Sequence, residues 1–296
     1  MTSSLYSKRI ISGLIAGLFG ILIVSAGGLL FTFSIGVIVH MALTEYFRMT
    51  EFAGIRPATK TTLLACQILL IATYLDTQSV TSFELSSAVL PLAGVAICGW
   101  LLLQPTTGSI SDISASILGL FYLGYLPSYW IRLRNLVDID LSGFIQLPII
   151  NSFGILTFGM LTTLIICLMI VASDIGSYYF GRLYGKHSLS PISPAKTIEG
   201  ALSGIICSSS VGLVSGLFLN INYWTLFLLS FIGFLVGFFS IVGDLIESMM
   251  KRDAGLKDSG NVLPGHGGIL DRIDSYLFTP SIIYYLIKFI LPFINT

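Results

Sequence analysis

IGFLVGFFSIVGDLIESMM, Ile232 to Met250, is almost wholly apolar until it reaches Asp244 and Glu247. The apolar run around it, 223–248, exceeds the about 20 helical residues that cross the hydrocarbon of a bilayer. As a helix it places Asp244 and Glu247 on one face at i and i+3, and Lys251 continues that face at i+7. Carboxylates at membrane depth are costly unless they face a cavity or a partner. A capped helix end with solvated charges is the plainer alternative. The stretch reads as a membrane-spanning helix whose last turns enter a polar site.

The whole chain makes the same demand. Of its 296 residues 54% are hydrophobic and 10% charged, with a mean hydropathy of +0.90. Soluble domains carry about a quarter charged residues, and one water-soluble core cannot hide this much apolar surface. The net charge of zero excludes the basic footprint of a nucleic-acid binder, so no nucleic acid is expected as a partner. Cys66, Cys98, Cys167 and Cys207 lie in apolar runs without CxxC or zinc-like spacing and read as small buried hydrophobes.

Apolar runs lie near 10–27, 29–47, 61–76, 84–103, 112–130, 153–180, 200–219, 223–248 and 275–293, about nine spans at the usual length. The expected fold class is all-α, a polytopic transmembrane helix bundle. It forms a single integral membrane domain over 1–296, with N-terminal spans in 10–150 and a catalytic C-terminal half in 151–296. The first run follows Lys8 and Arg9 without a clear small-residue cleavage site and is expected to be a retained span. With the N-terminus inside, twelve lysines and arginines fall on inner segments and three on the outer side and the last span. That asymmetry follows the positive-inside tendency and turns the polar loops 181–199 and 249–274 to the cytoplasm. The expected location is an integral membrane protein, in a bacterium the inner or plasma membrane.

Ten of the thirty Asp, Glu, Lys and Arg residues fall between Asp244 and Asp274. Most of this interval is KDSGNVLPGHGGILDRIDS, Lys257 to Ser275. Asp271 and Asp274 repeat the i, i+3 spacing. Neighbouring acids repel unless a cation sits between them, and oxygen-only ligands favour magnesium over zinc or copper. One histidine, His266, is too little for a zinc site. The composition suggests a magnesium site that also receives phosphate. Pro264-Gly265-His266-Gly267-Gly268 can bring backbone N–H groups close to an anion, although alone it would pass for a tight turn. Framed by Lys257-Asp258 and Asp271-Arg272 it favours anion contact, with His266 in phosphate contact or proton handling.

A second polar cluster, SDIGSYYFGRLYGKHSLSPISPAKTIEG, runs from Ser173 to Gly200. Asp174 lies near the end of an apolar helix, and Arg182, Lys186 and Lys196 supply positive charge. Ser193, Lys196 and Thr197 have the composition of a phosphate cradle, while the Walker A spacing is absent. Ordinary positive-inside decoration is the alternative for Arg182 and Lys186. His40 and Glu45 fit hydrogen bonding inside the bundle. Arg132 and Arg134 after FYLGYLPSYW fit an interfacial belt with basic anchors.

Ser248 to Arg252, Lys257-Asp258, Gly260, Leu263-Pro264, His266-Gly267-Gly268 and Asp271-Arg272-Ile273-Asp274 together resemble the signature of the phosphatidate cytidylyltransferase, or CDP-diacylglycerol synthase, family. GRLYGKHSLSPISPAKTIEG, Gly181 to Gly200, is similar to a second block of that family. The resemblance implies transfer of a cytidylyl group from CTP to phosphatidate, giving CDP-diacylglycerol and pyrophosphate. It implies magnesium dependence, with Asp244 and Asp271 at the metal, and links a monovalent cation, potassium, to that centre. On this basis Asp258 and Asp274 are expected as further ligands or their holders. Lys257, Arg272 and Lys196 are expected to neutralise phosphates, with Lys251, Arg252, Arg182, Lys186, Asp174, Ser193, Thr197, Gly267 and Gly268 around the substrates. The expected partners are CTP, phosphatidate and the lipid bilayer, with a homodimer left open. A CTP-dependent polyprenol or phytol kinase would share the bundle and the nucleotide but release CDP. An ion-coupled transporter would use the acidic pairs as a cation site, but no paired repeat is visible.

Overall fold

The computed structural model describes residues 17–80, 83–136, 157–219, 223–260 and 267–294. His266, Leu263, Pro264 and Gly265 lie outside the described residues, as does the start of the first apolar run. The helices in chain order are α1 (Gly17–Ala26), α2 (Gly28–Phe52), α3 (Thr59–Thr77), α4 (Leu85–Leu102) and α5 (Ile110–Arg134). They continue with α6 (Phe158–Tyr184), α7 (Ile198–Phe218), α8 (Tyr223–Asp253), the single turn α9 (Leu270–Ile273) and α10 (Thr279–Ile294). A 3-10 turn, Asp274–Tyr276, joins the last two.

Among the described residues, six helices are long and apolar enough to cross a membrane: α2, α4, α5, α6, α7 and the Leu226–Asp253 part of α8. The protein is therefore a helical integral membrane protein. Every apolar run of the sequence carries a helix, yet not every helix has the character of a span. Thr59, Lys60, Thr61, Thr62, Gln67 and Asp76 dilute α3, and α10 has 16 residues where a perpendicular span takes about 20. Leu92, Val95, Leu102, Leu217, Phe218 and Phe227 are exposed on the spanning helices, as suits contact with lipid tails.

One departure from an all-helical chain is a short antiparallel hairpin, β1 (Ser188–Ser190) and β2 (Ser193–Thr197), with Ser188 opposite Thr197 and Ser190 opposite Ser193. Pro191 and Pro194 withhold the N–H groups a helix would need here. Thr197 then starts α7, its Oγ1 accepting the Gly200 N–H at 3.2 Å. The cysteines are all free, and only Cys66 is fully buried. Cys98 is exposed on α4, because a lipid-facing side chain needs no protein cover.

α7 lies against both α6 and α8, and α10 packs on α5. Lipid tails are as apolar as leucine, so helices in a membrane associate through close van der Waals contact at small residues. A Cβ on Gly233 would stand 2.5 Å from the Ser208 carbonyl oxygen, and one on Gly204 would collide with Ser173 and Ser177. Gly233→Val is expected to cost about 1–3 kcal/mol through overpacking, read as a lower unfolding midpoint in detergent. Gly20→Val, where a Cβ meets nothing within 4 Å, leaves the midpoint unchanged. Equal midpoints for the two variants would refute this packing account.

Candidate active site

One face of α8 presents Asp244, Glu247, Ser248 and Lys251, since residues three, four and seven apart stack on a helix. The 3-10 turn after α9 lays Asp274 against that face. Gly243 permits the approach, because a Cβ there would collide with the Asp274 carbonyl oxygen. One carboxylate oxygen from each of Asp244, Glu247 and Asp274 lies within 4.8 Å of the others. Glu247 and Asp274 are buried and Asp244 is half-buried. Burial pushes the Asp274 carboxyl well above the ordinary carboxylate range, and the charges of Asp244 and Glu247 push it further. The donor set is all oxygen, and both Glu247 oxygens are buried without a hydrogen bond among the described residues. Three clustered acids, one of them with both oxygens free of hydrogen bonds, fit a hard divalent cation.

Two lysines sit on this cluster. Lys196, from β2, forms an ion pair with Asp244 and approaches Ser248 Oγ at 3.4 Å. Lys251 Nζ lies 2.5 Å from Glu247 Oε2, an ion pair outside hydrogen-bond geometry, and 2.7 Å from Asp271 Oδ1. Asp271 also accepts the Gly268 N–H at 2.8 Å and the Ser259 N–H at 3.1 Å. Burial pushes the Asp271 carboxyl up, but contact with Glu247 and Lys251, the Gly268 N–H and the Lys251 charge outweigh it and hold it well below the usual range.

The network continues into the N-terminal half. Glu45, buried on α2, accepts Ser259 Oγ–H at 3.1 Å, the Ile269 N–H at 2.9 Å and the Leu270 N–H at 2.8 Å. On the other flank Asp174 Oδ1 accepts Ser240 Oγ–H at 3.1 Å and Ser275 Oγ–H at 3.3 Å. Of the residues named from sequence, Asp244, Asp271, Asp274, Lys196 and Lys251 therefore converge, with Asp174 beside them. Arg182, Lys186, Lys257, Asp258 and Arg272 are exposed. Arg252 ties the end of α8 to the hairpin, its Nε donating to the Ile192 carbonyl at 3.4 Å. Ser193 is a hairpin residue, and Thr197 serves as the cap of α7. Gly267 holds a left-handed backbone at φ +80°, and the Gly268 N–H is engaged by Asp271.

Glu247 was read into this site from sequence, while Glu45 and Tyr122, which adjoin it, were not. Glu247 had a signal, its i+3 spacing from Asp244. Glu45 had little, a lone acid in an apolar run. Tyr122 had none. It lies in a π-helical stretch, Leu120–Tyr125, inside α5, where its hydroxyl is buried without a partner among the described residues and feels the charges of Asp274, Glu247 and Asp244.

The cytidylyltransferase family profile matches residues 7–290. A phosphatidate cytidylyltransferase of Synechocystis sp. is 43% identical over 98% of this chain and 99% of its own. A chloroplastic phosphatidate cytidylyltransferase of Arabidopsis thaliana is 36% identical over 96% of this chain and 72% of its own. The phosphatidate cytidylyltransferase of Bacillus subtilis is 31% identical over 95% and 97%. With similarity running along nearly its whole length, and not only through the polar blocks, the chain belongs to the phosphatidate cytidylyltransferase family.

Proposed function

We infer that the chain transfers a cytidylyl group from CTP to phosphatidate, giving CDP-diacylglycerol and pyrophosphate. The observation that carries this reading is the end-to-end similarity to the Synechocystis enzyme. The convergence of three acids and two lysines at one helix end supports it. A phosphatidate phosphate oxygen attacks the α-phosphorus of CTP. A new P–O bond forms, and the bond to the β-phosphate breaks with its electron pair leaving on pyrophosphate. The anionic nucleophile needs no strong base. The barrier is repulsion between two anions and the charge that builds on the leaving group, so catalysis is positioning and cationic stabilisation.

Asp244, Glu247 and Asp274 are the residues that would hold magnesium, with Asp271 anchored one ion pair away across Lys251. When bound, the ion neutralises phosphate oxygens and the charge developing on pyrophosphate. Lys196 exchanges its pairing with Asp244 for a CTP phosphate. Arg182, Lys186, Lys257 and Arg272 line the exposed approach as further cations, with Asp258 beside them. Asp174, held by Ser240 and Ser275, borders the side of the site that faces α6.

The site faces the cytoplasm in this reading. Glu45 lies toward the same end of α2 as Arg56, which bonds Thr106 and Asp112. Arg132 and Arg134 sit at the opposite ends of the bundle, bonding Ser86 and the Val24 and Ser25 carbonyls. The basic majority thus shares the end that carries the site.

Asp244→Asn and Asp274→Asn are each expected to lower turnover of labelled CTP and phosphatidate at least about 10²-fold, the scale of losing one preorganised electrostatic group. Near wild-type transfer by both would sink the metal assignment. Lys196→Met is expected to raise KM for CTP roughly tenfold, as loss of a charge-assisted hydrogen bond does; an unchanged KM removes Lys196 from the nucleotide. In a variant lacking the native cysteines, Lys257→Cys should react with an impermeant maleimide only from the cytoplasmic face, and Gln78→Cys only from the other. The reverse pattern would invert the topology.

A further inference from the structure

Glu45 is a buried acid on α2 whose contacts are concentrated on the segment that carries Asp271. Its two oxygens receive three hydrogen bonds, from Ser259 Oγ, Ile269 N and Leu270 N, between 2.8 and 3.1 Å. The amide just before them, Gly268 N, goes to Asp271, as does Ser259 N. Two carboxylates thus divide one short run of donors, Glu45 from α2 and Asp271 from within the segment. The local glycines make room for Glu45: a Cβ on Gly260 would stand 2.7 Å from its Oε1, and one on Gly268 would overlap its carboxylate. A buried carboxylate is costly unless its lone pairs are filled, and a run of buried N–H groups is costly unless it finds acceptors. Each side satisfies the other, at a sequence separation of more than 200 residues.

We propose that Glu45 is a positioning residue for the transfer reaction, one that sets Ser259 and the backbone of residues 268–270. Through that backbone it places Asp271, and through Asp271 it places Lys251 against Glu247. The proposal rests on the cytidylyl-transfer reading for its kinetic part and on geometry alone for its structural part. Glu45→Gln keeps the size of the side chain but replaces one acceptor by an NH₂ group facing N–H donors. Glu45→Asp keeps the charge on a side chain shorter by one methylene.

The test combines steady-state kinetics with amide hydrogen exchange on purified full-length protein in detergent. In Glu45→Gln, exchange in the segment 267–271 should rise at least about tenfold, the factor carried by one lost charge-assisted hydrogen bond, while α3 exchanges as in the wild type. kcat should fall by a similar factor with KM for both substrates unchanged, and Glu45→Asp should recover part of kcat. Faster exchange with unchanged kcat would leave Glu45 a purely structural residue and overturn the proposal. So would unchanged exchange, or exchange raised throughout the bundle. A wild-type protein without cytidylyl transfer would sink the functional reading and with it the kinetic part, while the exchange arm would still decide whether Glu45 holds the segment.

Discussion

Asp244, Glu247, Asp271 and Asp274 crowd one helix end and the turn beside it, and their mutual repulsion is the constraint that the neighbouring elements answer. Lys251 answers from inside. Its side chain is 14% exposed, with the ammonium bracketed by Glu247 and Asp271. Removing one partner of such a buried pair leaves an uncompensated charge, at a cost of about 3–5 kcal/mol, so Lys251 is poorly suited to leave its acids for a substrate. Lys196 answers from outside. It is 26% exposed, arrives on a two-stranded hairpin and pairs with the half-buried Asp244. Two lysines of the same chemistry are thereby separated by environment, one enclosed between two acids and the other more exposed beside one.

The same separation applies to the acids. Asp271 and Asp274 are three residues apart, yet one is held low by an ammonium and backbone N–H groups and the other is raised by burial beside two acids. Titratable neighbours driven apart in this way take different roles. Asp271 behaves as a strut that stays anionic because its partners demand it. Asp274 is a buried acid beside two others, with the Ser275 N–H at 2.7 Å as its backbone donor.

Much of this was legible in the sequence, and the failures have physical causes. Apolar runs marked every helix except the single turn α9, because backbone groups in lipid must be satisfied within the segment. The run at 84–103 corresponds to α4 and the run at 29–47 lies inside α2. The number of spans was less legible, since polar residues dilute α3 and α10 is short, and length and composition single out six helices among the described residues. The polar cluster was legible because Asp244, Glu247 and Lys251 share a helix face that local spacing reveals. The Ser188–Thr197 hairpin and the π-helical stretch around Tyr122 were not, since neither leaves a periodic mark. Glu45 was visible only as a lone acid, because its partners are set by tertiary packing.

The glycines bind these observations together. From sequence, those around His266 suggest close approach to phosphate. In the structure Gly260 and Gly268 give up their side-chain volume to Glu45, and Gly243 gives up its own to the backbone of Asp274. Gly204 and Gly233 do the same between helices, where hydroxyls and carbonyls meet. In lipid there is little hydrophobic gain from joining two helices, so cohesion depends on how closely polar and van der Waals surfaces meet. Deleting a Cβ is the cheapest way to bring them closer. An apolar bundle can thus hold a charged site at one end by the same device that holds its helices to each other. The site and the membrane core are two uses of a single packing rule, with acids as the close neighbours in one and backbone carbonyls in the other.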